Sequence, residues 1–288
     1  MIKYNPKNWF RHIFALRHSD TIFIIWKELI YILLFTLGLT YVMLTYVEDF
    51  TPFEKLLNVY SLIGFVLSLL LVFRTNTAYD RWWEGRKKWG ELVNNTRNLA
   101  IKLAVLCKEQ ETRDYFARMI PNYAYAMKEH LRSGVKLEEL ELTAEEKREL
   151  QHSDHIPSII AKWIYNKIYE LKRNQKLTEE EVLTLDINLK TFSDIIGACE
   201  RIRNTPIPYS YSIFLKKFIF VYVTTIPLAL IGFFHYFSCA VTVFIFYVLV
   251  SMEILAEEIE DPFGHDDSDL PTDDLSIKIK NNVKDILG

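Results

Sequence analysis

Cysteine, glycine and proline are all scarce in this sequence of 288 residues. The three cysteines, Cys107, Cys199 and Cys239, are odd in number and far apart, which excludes a disulfide framework and any CxxC metal site. Nine glycines and nine prolines are too few for a collagen-like or low-complexity chain, and an apolar fraction of 50% excludes intrinsic disorder. An excess of positive charge is also missing, because 34 basic residues stand against 37 acidic ones. Nucleic-acid binding, which needs a basic surface, is therefore not expected.

Charged residues are absent from three long apolar stretches, residues 29–47, 56–73 and 218–252. A helix needs about 20 apolar residues to cross the hydrocarbon core of a bilayer, so each of the first two stretches fits one span. The third stretch is long enough for two spans that turn near His235. Buried helices of a large soluble protein are the alternative, but such helices seldom lack charge for so long. The first stretch also begins too late for a cleaved signal peptide.

The polar middle of the chain has the pattern of amphipathic helices. Apolar residues recur there at intervals of three and four, and strand-like alternation is nearly absent. Two capping boxes mark helix starts, Thr143 with Glu146 and Thr178 with Glu181. The sequence therefore predicts an all-α protein, with four transmembrane helices and a large helical cytosolic domain.

Two histidines, His152 and His155, have an HxxH spacing. Neither a cysteine nor a Glu-x-x-His companion accompanies them, so the spacing favours an exposed loop over a zinc site.

The distribution of basic residues predicts the orientation in the cell membrane. Lysines and arginines lie before the first span and after the second, whereas the loop 48–55 carries three acids and one lysine. The positive-inside rule then places both termini and the middle domain in the cytoplasm. The predicted segments are an N-terminal cytosolic segment 1–20, transmembrane helices 1 and 2 in 21–80, the helical cytosolic domain 81–211, transmembrane helices 3 and 4 in 212–256, and an acidic loop with a C-terminal helix in 257–288.

The predicted spans contain few groups that could carry out chemistry. Ionisable residues at mid-membrane, which proton-coupled pumps need, are nearly missing, and so are P-loop, GxSxG and HExxH motifs. Phe65, Leu69 and Phe73 recur every four residues along one side of the second span. Ordinary helix packing accounts for such a stripe, and so does the lining of a pore. Four helices are too few to enclose a pore, so conduction requires several copies around a symmetry axis.

Residues 257–269 form a dense run of carboxylates beside a proline and a glycine. Such a run either coordinates a hard divalent cation such as Ca²⁺ or forms an exposed acidic loop before the next helix. A further alternative is the aspartate-rich Mg²⁺-diphosphate site of a membrane prenyl-transfer enzyme. That alternative is disfavoured because a second acidic motif and additional spans are missing.

Three segments resemble the bestrophin family, in its bacterial-type members: residues 74–86 (RTNTAYDRWWEGR), 207–211 (IPYSY) and 260–271 (EDPFGHDDSDLP). The resemblance implies a homopentameric ion channel in a bacterial-type inner membrane, with a long axial pore and no catalytic residues. Its partners are then the lipid bilayer, small inorganic ions and further copies of the chain. Chloride-type anions are the expected ions, and a monovalent cation channel of the same fold is the alternative.

The resemblance also implies roles for individual residues. Phe65, Leu69 and Phe73 match the hydrophobic pore neck, and Ile207 matches a cytosolic aperture. Asp266 and Asp269, with Asp261, match a divalent-cation clasp of animal members, so a bound Ca²⁺ or other divalent ion is possible although no cofactor is required. This sequence departs from animal members at His265, Ser268 and Pro271, where those members carry further acids.

Overall fold

The computed structural model describes residues 21–288, and all regular structure within this range is helical. The predicted all-α class is therefore confirmed. The N-terminal segment 1–20, with the basic residues used to predict orientation, lies outside the described residues. The α-helices in chain order are α1 Thr21–Tyr46, α2 Thr51–Glu54, α3 Leu57–Leu106, α4 Gln110–His130, α5 Ala144–Leu150, α6 Ile156–Arg173, α7 Glu179–Asn204, α8 Tyr209–Thr225, α9 Pro227–Phe234, α10 Phe237–Glu260 and α11 Thr272–Leu287.

The described chain divides into two compact units. The first, called the apolar unit, comprises residues 21–81 and 206–260. The second, called the polar unit, comprises residues 82–205 and 261–288. Helix α3 runs without interruption from Leu57 to Leu106 and therefore continues across the boundary at residue 81, contributing residues to both units.

The apolar unit contains the predicted spans. Four helical segments are long and apolar enough to cross a membrane: α1, the run from α2 into α3, the run from α8 through α9, and α10. The predicted division of the third apolar stretch is confirmed, because α9 ends at Phe234 and His235 adopts a positive φ of 45° before α10 begins. Apolar side chains from α3 and α8 form most of the core of this unit, and α1, α9 and α10 add Ile32, Leu230 and Phe246.

The polar unit has its own hydrophobic core, built from the second half of α3 and from α4, α6, α7 and α11. Tyr123 and Phe192 stack there with ring centroids 4.7 Å apart, and the Tyr123 hydroxyl donates to the Phe192 carbonyl oxygen at 2.6 Å. Both predicted capping boxes are present. The Thr143 side chain accepts from the Glu146 amide at 3.3 Å, and the Thr178 side chain accepts from the Glu181 amide at 3.2 Å.

The two histidines with HxxH spacing have different surroundings. His152 is exposed in the turn before α6, as the loop prediction requires. His155 is only partly exposed and is the N-cap of α6, with its Nδ1 accepting from the Ser158 amide at 3.2 Å.

Candidate functional site

The predicted neck residues lie on a face of α3 that the rest of the described chain, residues 21–288, leaves exposed. The exposed fractions of Phe65, Leu69 and Phe73 are 66%, 44% and 56%. Leu67 and Leu71 are buried at 0% and 3%. Residues two apart on a helix point in nearly opposite directions, so burial of the leucines turns the stripe outward. Lipid or further copies of the chain must cover this apolar face, and its role in a pore stays a prediction.

Contacts with α8 determine how α3 is rotated about its axis. A Cβ atom at Gly64 would lie 2.7 Å from the Tyr222 hydroxyl oxygen, so the glycine leaves room for the Tyr222 ring against α3. The Tyr211 hydroxyl donates to the Leu70 carbonyl oxygen at 3.1 Å. These contacts hold the opposite face of α3 inside the apolar unit and keep the stripe outside it.

An ion pair follows the stripe directly along α3. The Arg74 side chain is 1% exposed, and its Nη2 donates to Glu260 Oε2 at 2.5 Å. Its Nε and Nη1 are also buried, and neither finds a hydrogen-bond partner among the described residues. Because a buried guanidinium is costly without a counter-charge, Glu260 is the group that makes this position tolerable for arginine.

Glu260 also contacts the predicted aperture. Its second oxygen, Oε1, accepts from the Ile207 amide at 2.6 Å, and its carbonyl oxygen accepts from Arg81 Nε at 3.1 Å. Ile207 is partly buried and lies between Pro206 and Pro208, whose rings restrict the backbone of this turn. One carboxylate therefore joins the turn at Ile207 to the helix that carries the stripe. The sequence interpretation missed this role of Glu260, although a charge directly after an apolar span was visible at Arg74.

The acidic segment forms a tight turn between α10 and α11. The Asp266 amide donates to Asp269 Oδ2 at 2.6 Å, and the Asp269 amide donates to the Asp266 carbonyl oxygen at 3.0 Å. The Asp269 side chain is buried, and its Oδ1 has no hydrogen-bond partner among the described residues. Burial raises the pKa of Asp269 to about 6, against the opposing effect of the Asp266 amide.

The three predicted metal ligands do not converge on one point. Asp261 and Asp266 are exposed, and the Asp261 carboxylate accepts from the Phe263 amide at 3.4 Å. Within residues 21–288, the one set of three such ligand atoms within 4.8 Å of one another belongs to other side chains. A cation would satisfy the buried Oδ1 of Asp269, and an oxygen-only donor set suits Ca²⁺. The divalent site in this turn stays a prediction, with Asp269 as its best-placed ligand.

Residues of the Arg-Trp-Trp segment hold the acidic turn in place. Trp82 Nε1 donates to the Ser268 carbonyl oxygen at 3.0 Å. A Cβ atom at Gly85 would lie 3.1 Å from the Phe263 ring and 3.3 Å from a Leu270 methyl carbon, so the helix and the turn pack closely. Two of the segments that resemble the bestrophin family are therefore in direct contact.

A network of charges fastens α11 to the end of α4. Lys128 Nζ lies 2.8 Å from an Asp273 oxygen and 2.6 Å from a Glu139 oxygen. Arg132 donates to Asp273 at 2.7 Å and to the Phe263 carbonyl oxygen at 3.2 Å. The Arg132 guanidinium and the Lys128 ammonium hold the pKa of Asp273 well below its usual range, although burial acts in the opposite direction.

Known proteins resemble this chain over nearly its whole length. It is 36% identical over 288 residues to a voltage-dependent anion channel-forming protein of Nostoc sp.. This alignment covers 97% of this chain and 92% of that relative. It is 29% identical to the voltage-dependent anion channel-forming protein YneE of Escherichia coli (strain K12), over 95% of this chain and 90% of that protein.

Solved structures have the same fold. The crystal structure of a bacterial bestrophin homologue from Klebsiella pneumoniae superposes with a TM-score of 0.84 at 28% sequence identity, covering 92% of this chain and 98% of that one. The family model for Bacterial/Fungal Bestrophin protein matches residues 1–285. The match extends over the spans, the polar unit and the acidic turn, and this chain belongs to the bacterial and fungal bestrophin family.

Proposed function

We propose that this protein is one subunit of an oligomeric channel that conducts small monovalent anions passively across the cell membrane. Its family and its curated relatives are channels, so the prenyl-transfer alternative is set aside. The observation that carries the proposal is the exposed stripe of Phe65, Leu69 and Phe73 on a membrane-capable helix whose other face is buried. Several copies that turn this stripe toward a common axis would form the pore.

The assembly that we propose is a homopentamer. Each copy contributes three apolar side chains, which together make a narrow hydrophobic neck that gates by dewetting. Ile207 contributes a second constriction on the cytosolic side, held to the neck helix through Glu260. The acidic turn with Asp261, Asp266 and Asp269 is the proposed position of a divalent cation.

The preference for anions is supported by the relatives, which are named voltage-dependent anion channel-forming proteins. The neck residues are uncharged, and Arg74 is buried against Glu260, so a ring of free positive charge next to the neck is not part of the mechanism. A monovalent cation channel of the same fold remains the second candidate.

A single preparation tests assembly and ion sign. Purified protein in detergent should have the mass of five chains by mass photometry. After reconstitution into a planar bilayer with asymmetric NaCl, the reversal potential should move toward the chloride equilibrium potential. A shift toward the sodium potential would replace the anion channel with the cation channel, and a monomer without current would refute the channel itself.

A further inference from the structure

Three side chains of the polar unit meet in a cluster that shares no residue with the candidate pore or the acidic turn. His130 is the last residue of α4, His155 is the N-cap of α6, and Glu200 lies on α7. Nε2 of His130 lies 2.7 Å from Glu200 Oε1, and Nε2 of His155 lies 2.9 Å from the same oxygen. The two imidazole centroids are 4.5 Å apart.

We propose that His130, His155 and Glu200 form a binding site for a divalent transition-metal ion of the zinc class. Two imidazole nitrogens and one carboxylate oxygen are a ligand set that zinc uses, with a fourth position left for water. In a tetrahedral site with bonds of about 2.1 Å, neighbouring ligand atoms are roughly 3.4 Å apart. The nitrogen–oxygen distances of 2.7 and 2.9 Å would therefore need to widen by about 0.7 and 0.5 Å for an ion to enter.

The exposure of the cluster suits the entry of an ion. The side chains of His130, Glu200 and His155 are 21%, 29% and 36% exposed, so an ion and its remaining water can reach the site. Imidazole ligands favour zinc and its transition-metal neighbours over Ca²⁺ and Mg²⁺, which prefer oxygen. The cluster and the acidic turn should thus differ in metal preference.

Hydrogen bonding around His155 shows how its proton would move. Nδ1 accepts from the Ser158 amide, so the proton of the neutral ring is on Nε2, which faces Glu200. Metal binding at Nε2 would shift this proton to Nδ1, and the ring would stay neutral but would have to turn away from the Ser158 amide, because two N–H donors cannot face each other. The Ser158 amide would keep a partner, because it also lies 3.1 Å from the His155 carbonyl oxygen. The tautomer change therefore does not orphan a backbone donor.

Arg203 positions the histidine at the end of α4. Its Nη1 donates to the His130 carbonyl oxygen at 2.7 Å, and its Nη2 donates to the Arg132 carbonyl oxygen at 2.5 Å. Arg203 and Glu200 are both on α7 and are three residues apart. The same stretch of α7 thus supplies one ligand and holds the backbone of another, so the cluster is preorganised before any ion binds.

Zinc titration of the intact protein tests this site. Metal-stripped full-length protein in detergent should bind one Zn²⁺ per chain in calorimetry with ZnCl₂, and CaCl₂ should not compete. Glu200→Gln and His130→Gln should each weaken zinc binding by more than about tenfold, because each removes a direct ligand. His152→Gln is the matched control, since it removes an exposed histidine three residues from His155, and it should bind zinc as the wild type does.

A second measurement places the ion. Zinc-soaked crystals should give an anomalous peak between the three side chains, and this peak should vanish in Glu200→Gln. Elution volume and helical circular dichroism establish that the variants are folded. Zinc affinity that is unchanged in both ligand variants, or the absence of zinc binding in the wild type, would overturn the proposal. Neither zinc experiment depends on conduction, so a failure of the zinc site would leave the channel proposal untouched.

Discussion

At the residue scale, Glu260 joins three segments of the apolar unit with one side chain and one carbonyl oxygen. Its two carboxylate oxygens accept hydrogen bonds from Arg74 and from the Ile207 amide, and its carbonyl oxygen accepts one from Arg81. A buried ion pair adds little net stability compared with apolar packing, but removing one partner leaves the other charge buried and unpaired. Loss of Glu260 would therefore lower the stability of the fold mainly because the Arg74 guanidinium would be left buried without a counter-charge.

Neutralising Glu260 should destabilise the protein measurably. In Glu260→Gln the amide oxygen can still accept one hydrogen bond, but the guanidinium of Arg74 loses its counter-charge. We expect a loss of about 2–3 kcal/mol in unfolding free energy, measured by thermal unfolding in detergent. Glu257→Gln is the control, because its carboxylate is 58% exposed and pairs with Lys216 at the surface. Equal losses in the two variants would contradict the special role of Glu260.

The lowered pKa of Asp273 predicts a loss of stability in acid. A carboxyl group whose pKa is lower in the folded than in the unfolded state stabilises the fold above the unfolded value, about 4, and this stabilisation is lost as the pH falls toward the folded value. The melting temperature of the wild type should therefore drop steeply below about pH 4. Asp273→Asn should be less stable at neutral pH and should fall less steeply in acid.

The control for this pH profile is Asp285→Asn, which changes an exposed carboxylate on the same helix. It should reproduce the wild-type slope. An acid slope of Asp273→Asn identical to that of the wild type would show that the contacts with Arg132 and Lys128 do not control acid stability.

At the element scale, α3 has two different tasks along its 50 residues. Its first half has a buried face with Leu67 and Leu71 and an exposed face with the proposed neck residues, whereas its second half packs into the core of the polar unit. The close contact of Gly64 with Tyr222 is one device that sets the rotation of α3 about its axis.

Shortening the neck side chains should increase the current. Leu69→Ala with Phe73→Ala removes apolar volume from the proposed constriction, which would widen and rehydrate it. We expect a larger single-channel conductance in planar bilayers than in the wild type. Phe35→Ala on α1 removes a phenylalanine of similar exposure, 48% against 56% for Phe73, and should leave conductance unchanged. A double variant with wild-type conductance would place the pore elsewhere.

At the scale of the whole molecule, the two units differ in where their apolar side chains lie. The apolar unit exposes many large apolar side chains, such as Leu34 at 61% and Phe244 at 66%. The polar unit buries its apolar residues in its own core and carries the ion-pair network around Lys128 and Arg132. So much exposed apolar surface requires an apolar cover, which a bilayer and the proposed further copies of the chain would provide.

Cysteine labelling would test the orientation of the two units. Tyr236→Cys places a thiol in the exposed turn between α9 and α10, and Gln151→Cys places one in the polar unit. A membrane-impermeant maleimide should label the first variant in intact cells and the second only after lysis. Background labelling should be low, because Cys107, Cys199 and Cys239 are all buried. Labelling of Gln151→Cys in intact cells would reverse the predicted topology.

Local patterns in the sequence were enough for the class and for several element boundaries. Uncharged runs long enough for a bilayer predicted the four membrane-capable segments, because the fit of a helix to a bilayer is read from its length and its local composition. The starts of α5 and α7 followed from capping boxes, in which the bonding partners are three residues apart. The bestrophin resemblance was likewise contained in short motifs.

Contacts between distant residues were decided only by the tertiary structure. Arg74 and Glu260 are separated by 186 positions, and His130 and Glu200 by 70, so no local pattern relates them. The stripe of Phe65, Leu69 and Phe73 was visible in the sequence, but both faces of α3 are apolar there. Packing of Leu67 and Leu71 against the rest of the apolar unit determined which face is left for a partner, since side-chain burial depends on the neighbouring helices and not on the helix alone.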